Sequence, residues 1–234
     1  MAHQSILAAK GVIYERLAKR AVSAFAKRNI RAQFAKTREE ALASILDLIP
    51  EKASIGIGDS ITMEEIGVLA RLEERGGHEI FNPFRFLEDR RFADSPEVRI
   101  QKMRQALLAD VFLAGSNAVT LDGKIVNIDA RGNRVAGILF GPRKVILAVG
   151  ANKIMPDVDQ AIQRIKNVAA PRNAERHFME SHFEKEPPCA QAGICVDCSS
   201  PYRICCYISI IEWQRGIYES DRIHLFIVGE ELGF

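Results

Sequence analysis

Between Ile30 and Ala114 short β-rich runs alternate with amphipathic stretches, and strands joined by helices of this length point to a parallel α/β sheet with helices laid over it. Residues 5–28 come first as a helix, with Ile6, Ala9, Ile13, Leu17, Ala21 and Ala24 returning at three- and four-residue steps. Ile30 to Ala35 reads as a strand. Thr37-Arg38-Glu39-Glu40 is a capping box that opens a helix running to Ile49, before Pro50. Ala53 to Ile57 is a second strand, Met63 to Arg75 a helix stopped by Gly76-Gly77, and His78 to Phe81 a third strand. Ser95 as N-cap and Pro96 at the first helical position start another helix, and Asp110 to Ala114 is again strand-like.

Beyond residue 115 the texture changes. Ala118–Leu121 and Lys124–Ile128 flank Asp122-Gly123, the dipeptide of a type I′ hairpin. Asn133 to Phe140 is expected as a further strand, Lys144 to Val149 as a buried one, Asp157 to Asn167 and Asn173 to about Phe183 as helices, and Ile223 to Val228 as the closing strand. The organisation expected is one α/β domain over 5–234, mainly a parallel sheet flanked by helices, with a cysteine-rich insertion at 184–222. A chain of 26.1 kDa suits one large domain. A net charge of +2 gives no general attraction to nucleic acid, and no apolar run approaches the length of a membrane span.

All five cysteines fall in one segment, Cys189 to Cys206. A core using cysteine as apolar filler would scatter it. Cys195 and Cys198 form a C-x2-C that lets two thiolates converge on one ion, while Gly193 and Pro201 allow the flanking loops to fold back. The reading favoured is a metal site of Cys189, Cys195, Cys198 and Cys205, with Cys206 the spare; iron–sulfur and zinc both take four thiolates. Free thiols or redox-active pairs are the alternatives. Disulfides are disfavoured because the N-terminus lacks the pattern of a secretory signal, which argues for a cytoplasmic protein.

Polar loops at strand ends supply a candidate pocket. Gly58-Asp59-Ser60, with Thr62, sits between strand and helix, where free N–H groups favour an anion; helix capping by Asp59 or Ser60 is the simpler alternative. Asn117, Asn127, Asp129, Asn133 and Arg134 crowd the hairpin region, and Asn152-Lys153 follow the apolar strand. Asp129, Arg134, Lys153 and Arg164 are available for charge recognition. Asp59, Glu64 and Asp129 are the candidates for an acid or base. His177 and His182, five apart, do not share a helix face as ligands would, and His78 and His224 are read as structural. No G-x-G-x-x-G and no flavin motif is present, so hydride transfer by this chain alone is not expected.

Several blocks in order closely resemble the LUD domain, the lactate-utilisation protein family: Ser116-Asn117-Ala118-Val119-Thr120, Asp122-Gly123-Lys124-Ile125-Val126-Asn127, Gly132-Asn133-Arg134-Val135, Gly141-Pro142-Arg143-Lys144 and Gly150-Ala151-Asn152-Lys153. Ala170-Pro171, the cysteine segment and the closing Gly229-Glu230-Glu231-Leu232-Gly233-Phe234 extend the likeness from about Lys10 onward. The resemblance implies a NagB/RpiA/CoA-transferase-like fold and a role in oxidising L-lactate together with iron–sulfur partner subunits. The function expected is a component of organic-acid oxidation that binds a small carboxylate and carries a four-cysteine metal centre. Two readings from other classes stand beside it: a stand-alone isomerase, hydrolase or transferase acting on a sugar phosphate or thioester, and a zinc-stabilised binding protein.

Overall fold

Six parallel strands build the central sheet: β1 (Arg31–Ala35), β2 (Ser54–Ile57), β3 (Glu79–Phe81), β4 (Val111–Gly115), β7 (Lys144–Gly150) and β10 (Ile223–Val228), in the order β1-β10-β7-β4-β2-β3. The computed structural model describes residues 2–234 except 90, 181, 218 and 220, and only the backbone of 2–4 and 7. A second, smaller sheet orders β8 (Ile154–Met155), β5 (Ala118–Thr120), β6 (Ile125–Asp129) and β9 (Tyr207–Ile211).

The strands read as continuous apolar runs because both faces of the main sheet are covered. Along β7, Val145, Leu147 and Val149 point to a core shared with α1 (Ala2–Ala26), while Ile146 and Ala148 point to the opposite one. Along β10, Leu225 and Ile227 join the first and Phe226 and Val228 the second. The second core is closed by α2 (Arg38–Asp47), α3 (Ile61–Ile66) and α4 (Val68–Arg75) through Ala41, Ile45, Met63 and Leu72. A further helix, α5 (Pro96–Ala106), follows β3 and leads into β4.

Four expectations are corrected. The helix foreseen over Met63–Arg75 is two, because Gly67 takes φ 83 and its N–H caps α3 on the carbonyls of Met63 and Glu64. Asp122-Gly123 is not a type I′ turn: of the two only Gly123 has positive φ, and the bonds Gly123 N to Thr120 O (3.0 Å) and Thr120 N to Lys124 O (2.9 Å) give the three-residue hairpin loop instead. Residues 133–139 are a helix, α6 (Asn133–Leu139), not a strand. Gly132 in the left-handed region and the Asp129 carboxylate on Val135 N–H start it, and Val135 and Ile138 bury one face. The last two expected helices run together as α7 (Val158–Arg164), a π-turn (Ile165–Ala169) and α8 (Ala170–Met179). The segment that follows contributes a short helix, α9 (Pro188–Ala192), and the unforeseen β9, which pairs antiparallel with β6.

Candidate functional site

Neighbouring strands β7 and β4 end on Gly150 and Gly115, and Gly58 follows β2. Side chains would not fit at these ends: a Cβ on Gly115 would lie 2.6 Å from Ser60 Oγ, and one on Gly150 2.5 Å from Leu232 N. The backbone therefore turns tightly at the carboxyl edge of the sheet, where open α/β folds bind ligands. A cavity of about 670 Å³ opens there. Of the residues singled out in the sequence, Asp59, Ser60, Thr62, Asn117, Asp129, Asn133, Arg134 and Lys153 line it. Asn127 is fully buried, and Asn152 likewise lies off the wall. Gly58 and Glu64 face a separate hollow of about 30 Å³.

Much of the polar chemistry holds the walls in place. Ser60 Oγ accepts from Met63 N at 3.1 Å, the capping role set against anion binding in the sequence. Asn117 Oδ1 accepts from Ile128 N (3.0 Å) and Arg134 Nη2 (2.8 Å), and its N–H donates to Asn127 Oδ1. Asp129 accepts from Ala130 N and Val135 N, so both carboxylate oxygens are engaged by backbone. Asn152 Oδ1 accepts from Leu232 N. Arg164, expected to recognise charge, instead donates to the carbonyls of Asn152 and Asn117, both at 3.1 Å, and clamps two loops. Glu64 is pushed up by burial and then by Asp59, yet it looks into the smaller hollow.

Lys153 stands apart. It is 6% exposed and its Nζ donates to Thr62 Oγ1 at 2.9 Å. Among the described residues no carboxylate pairs with it. Burial, then Arg164 and Arg134, lower its pKa to about 7. The cavity wall carries Arg99, Arg131, Arg134, Lys153, Arg176 and Arg203 against the carboxylates of Asp59 and Asp129. Asp59 is paired with Arg176 at 3.2 Å and Asp129 is spent on capping, so the wall is electropositive.

The far wall comes from α8 and the segment beyond it. α8 ends at Met179, so His177 and His182 do not share a helix and the helical-face argument against them fails. The returning chain bonds His182 N to His177 O and sets the two Nδ1 atoms 3.1 Å apart, with Glu180 Oε2 3.6 Å from His182 Nδ1. These three donors lie close enough to hold a metal ion. Arg176, bonded to both Glu180 and Asp59, places a positive charge against that spot and opposes a cation. Burial, then Arg176, lower the pKa of His177 to about 4, so it is neutral at pH 7.

In the cysteine segment Arg203 donates to the carbonyls of Cys198 and Cys205 and to Asp197, and Asp197 N donates to Cys195 Sγ at 3.5 Å. Burial raises the pKa of Cys189, and the thiols of Cys198, Cys205 and Cys195 raise it further, so the four share one electrostatic neighbourhood. No three of their sulfurs come within 4.8 Å of one another. Ligands of a single zinc, at ~2.3 Å from the ion, would be closer than that. Four thiolates are a donor set that zinc and iron–sulfur centres both take, and a single zinc would need these sulfurs drawn closer together. Cys206 Sγ donates to Arg203 O at 3.5 Å, and Cys206 lines the cavity.

The LUD domain model matches residues 18–228. The chain belongs to the LUD domain family. That family is associated with lactate utilisation. Among solved structures, a DUF162 family protein from Deinococcus radiodurans is similar at 11% identity, with a TM-score of 0.49, covering 92% of this LUD chain and 98% of the other. No curated protein matches the LUD chain. Among the described residues no helix is long and apolar enough to cross a membrane.

Sequence reasoning missed Arg99, Arg176, His177 and His182 as wall residues of the LUD domain. Arg99 stacks its guanidinium over Phe92, 3.1 Å from the ring centroid, and His182 stacks on Phe86 and Phe92. Their spacing carries no motif. The structure marks this wall by the π-turn, a feature found often at functional sites, whose Ile165 and Ala169 both reach the cavity.

Proposed function

We propose that this LUD protein binds a small organic acid anion, of the lactate and pyruvate class, in the crevice at the carboxyl edge of its sheet. In this reading it serves organic-acid oxidation as a component that works with iron–sulfur partner subunits. The observation that carries the reading is Lys153: a lysine buried without a carboxylate partner, on a wall where the carboxylates are already engaged. Burying a charge is costly unless it is paired, and an incoming carboxylate supplies the missing partner. Arg134 lies on the same wall with Nη2 held by Asn117 Oδ1 and Ile128 O, which fixes the guanidinium for a charge-assisted bond to the ligand.

Cys189, Cys195, Cys198 and Cys205 carry an iron–sulfur cluster in this proposal; the cluster supplies one-electron chemistry when bound. The protein's own residues bind and orient the acid. Lacking a dinucleotide or flavin motif, the chain passes electrons only in company with its partners. The test is titration of the anaerobically purified protein with L-lactate and pyruvate by calorimetry, beside an assay with L-lactate and an artificial electron acceptor. Binding without turnover is expected. Turnover by the isolated chain overturns the division of labour, and absence of binding by either acid overturns the anion site.

A further inference from the structure

We propose that Lys153 is a nucleophile that forms an imine with the carbonyl carbon of a 2-oxo acid held in the crevice. The inference rests on the anion-binding reading and adds a covalent step to it. Lys153 closes the 3-10 turn Ala151–Lys153 directly after β7, so a rigid central strand sets where its side chain begins. Lys153 lines the cavity and its Nζ donates to Thr62 Oγ1, which lines it too, while the Thr62 hydroxyl donates towards Leu232 O at 3.5 Å. The hydroxyl proton is thereby directed away from Nζ, which leaves the amine lone pair available. A Cβ on Gly233 would come within 2.8 Å of Nζ, so glycine at that position keeps the space beside the amine open.

The surroundings bring amine and ammonium to comparable populations near neutral pH, so the ammonium is there to meet an incoming carboxylate and the amine is there to attack. Burial and the guanidiniums of Arg164 and Arg134 disfavour the proton against a smaller opposing pull from the Glu65 carboxylate, and a lysine desolvated beside another cation is the usual form of an activated amine. Arg134 offers the site for the acid's carboxylate, and that grip sets the adjacent 2-carbon towards Lys153. In the step itself, Nζ attacks the carbonyl carbon and a C–N bond forms. The carbonyl oxygen takes the two protons that Nζ gives up, the C–O bond breaks, and one water leaves as the C=N bond closes. Nothing is oxidised or reduced. A 2-hydroxy acid has no carbonyl at its 2-carbon and cannot form this imine, so the site would treat the two members of a 2-hydroxy/2-oxo pair differently.

The test incubates the full chain with pyruvate and sodium cyanoborohydride, then reads intact mass and peptide map, with L-lactate as control and calorimetry alongside. The expected result is one reduced pyruvate adduct per chain, on Lys153, and none with lactate. Calorimetric binding of pyruvate without an adduct overturns the imine and leaves the anion site standing; failure of both acids to bind overturns both. Adducts spread over other lysines overturn the assignment as well. Lys153→Met and Lys153→Arg, each shown folded by thermal melting, should lose the adduct, and the map of the unaltered protein decides the matter if either variant misfolds.

Discussion

A lysine held at a pKa of about 7 makes the folded state pay for every proton it keeps, and the sign of that effect is fixed. Lys153 has its pKa depressed on folding, so below about pH 7 both states are protonated and the folded state bears the whole cost of the buried ammonium. As pH rises from there to the ordinary lysine range, the folded protein has shed the proton and stability climbs. A depression of this size, from 10.5 to about 7, corresponds to a cost of about 5 kcal/mol. Lys153→Met should therefore raise unfolding free energy by up to that order at pH 6 and by clearly less at pH 9, measured by urea unfolding of both proteins. Equal gains at the two pH values would mean that packing, not charge, sets the effect. Arg134→Ala should weaken pyruvate binding by about tenfold or more, the scale of one charge-assisted bond, in a titration at constant salt. At this scale the sequence was informative where polar residues follow apolar strands, as at Asp59, Asn117 and Lys153. It was silent on Arg99 and Arg176, which reach the cavity from helices remote in the chain and carry no local signature, and it set His177 aside on a helical-face argument that the end of α8 at Met179 removes.

Elements were legible wherever one local signal dominated. Thr37 caps α2 and Ser95 caps α5, each accepting from the residue three positions on, because a side-chain oxygen at the N-cap satisfies an otherwise orphaned N–H. Residues 133–140 misled because Val135, Ile138, Leu139 and Phe140 suggest a strand by composition, while the decision lay with Asp129 and Gly132 just before them. Gly67 was overlooked because one glycine inside an amphipathic pattern is usually tolerated. Here its φ of 83 ends α3 and begins α4, and a Cβ would meet nothing within 4 Å. The cost of Gly67→Ala is then conformational alone, about 1–2 kcal/mol, and Gly67→Asn, which visits the left-handed region more readily, should cost less. Denaturant unfolding of the two variants checks the order. A neutral alanine would show that the chain can run straight from α3 into α4.

At the scale of the molecule, the cysteine segment is joined to the crevice. It adds β9 to the edge of the second sheet, and its Tyr202, Arg203, Ile204 and Cys206 line the cavity. Arg203 is the connection: one guanidinium holds the carbonyls of Cys198 and Cys205 and the carboxylate of Asp197 while its side chain forms part of the cavity wall. The backbone that carries Cys198 and Cys205 is thereby tied to that wall through one side chain. The metal centre proposed for Cys189, Cys195, Cys198 and Cys205 is thus expected to couple to anion binding, and coupling between sites commonly amounts to 1–3 kcal/mol. Cys206→Ser should keep its iron and sulfide, as the spare thiol, whereas Cys195→Ser/Cys198→Ser should lose both and bind pyruvate roughly tenfold more weakly with the core still folded. Metal analysis, calorimetry and a thermal melt on the three proteins measure each part. A cluster-free double variant that binds pyruvate as tightly as the parent would separate the two sites, and Arg203 would then be a strut for the cysteine loop alone.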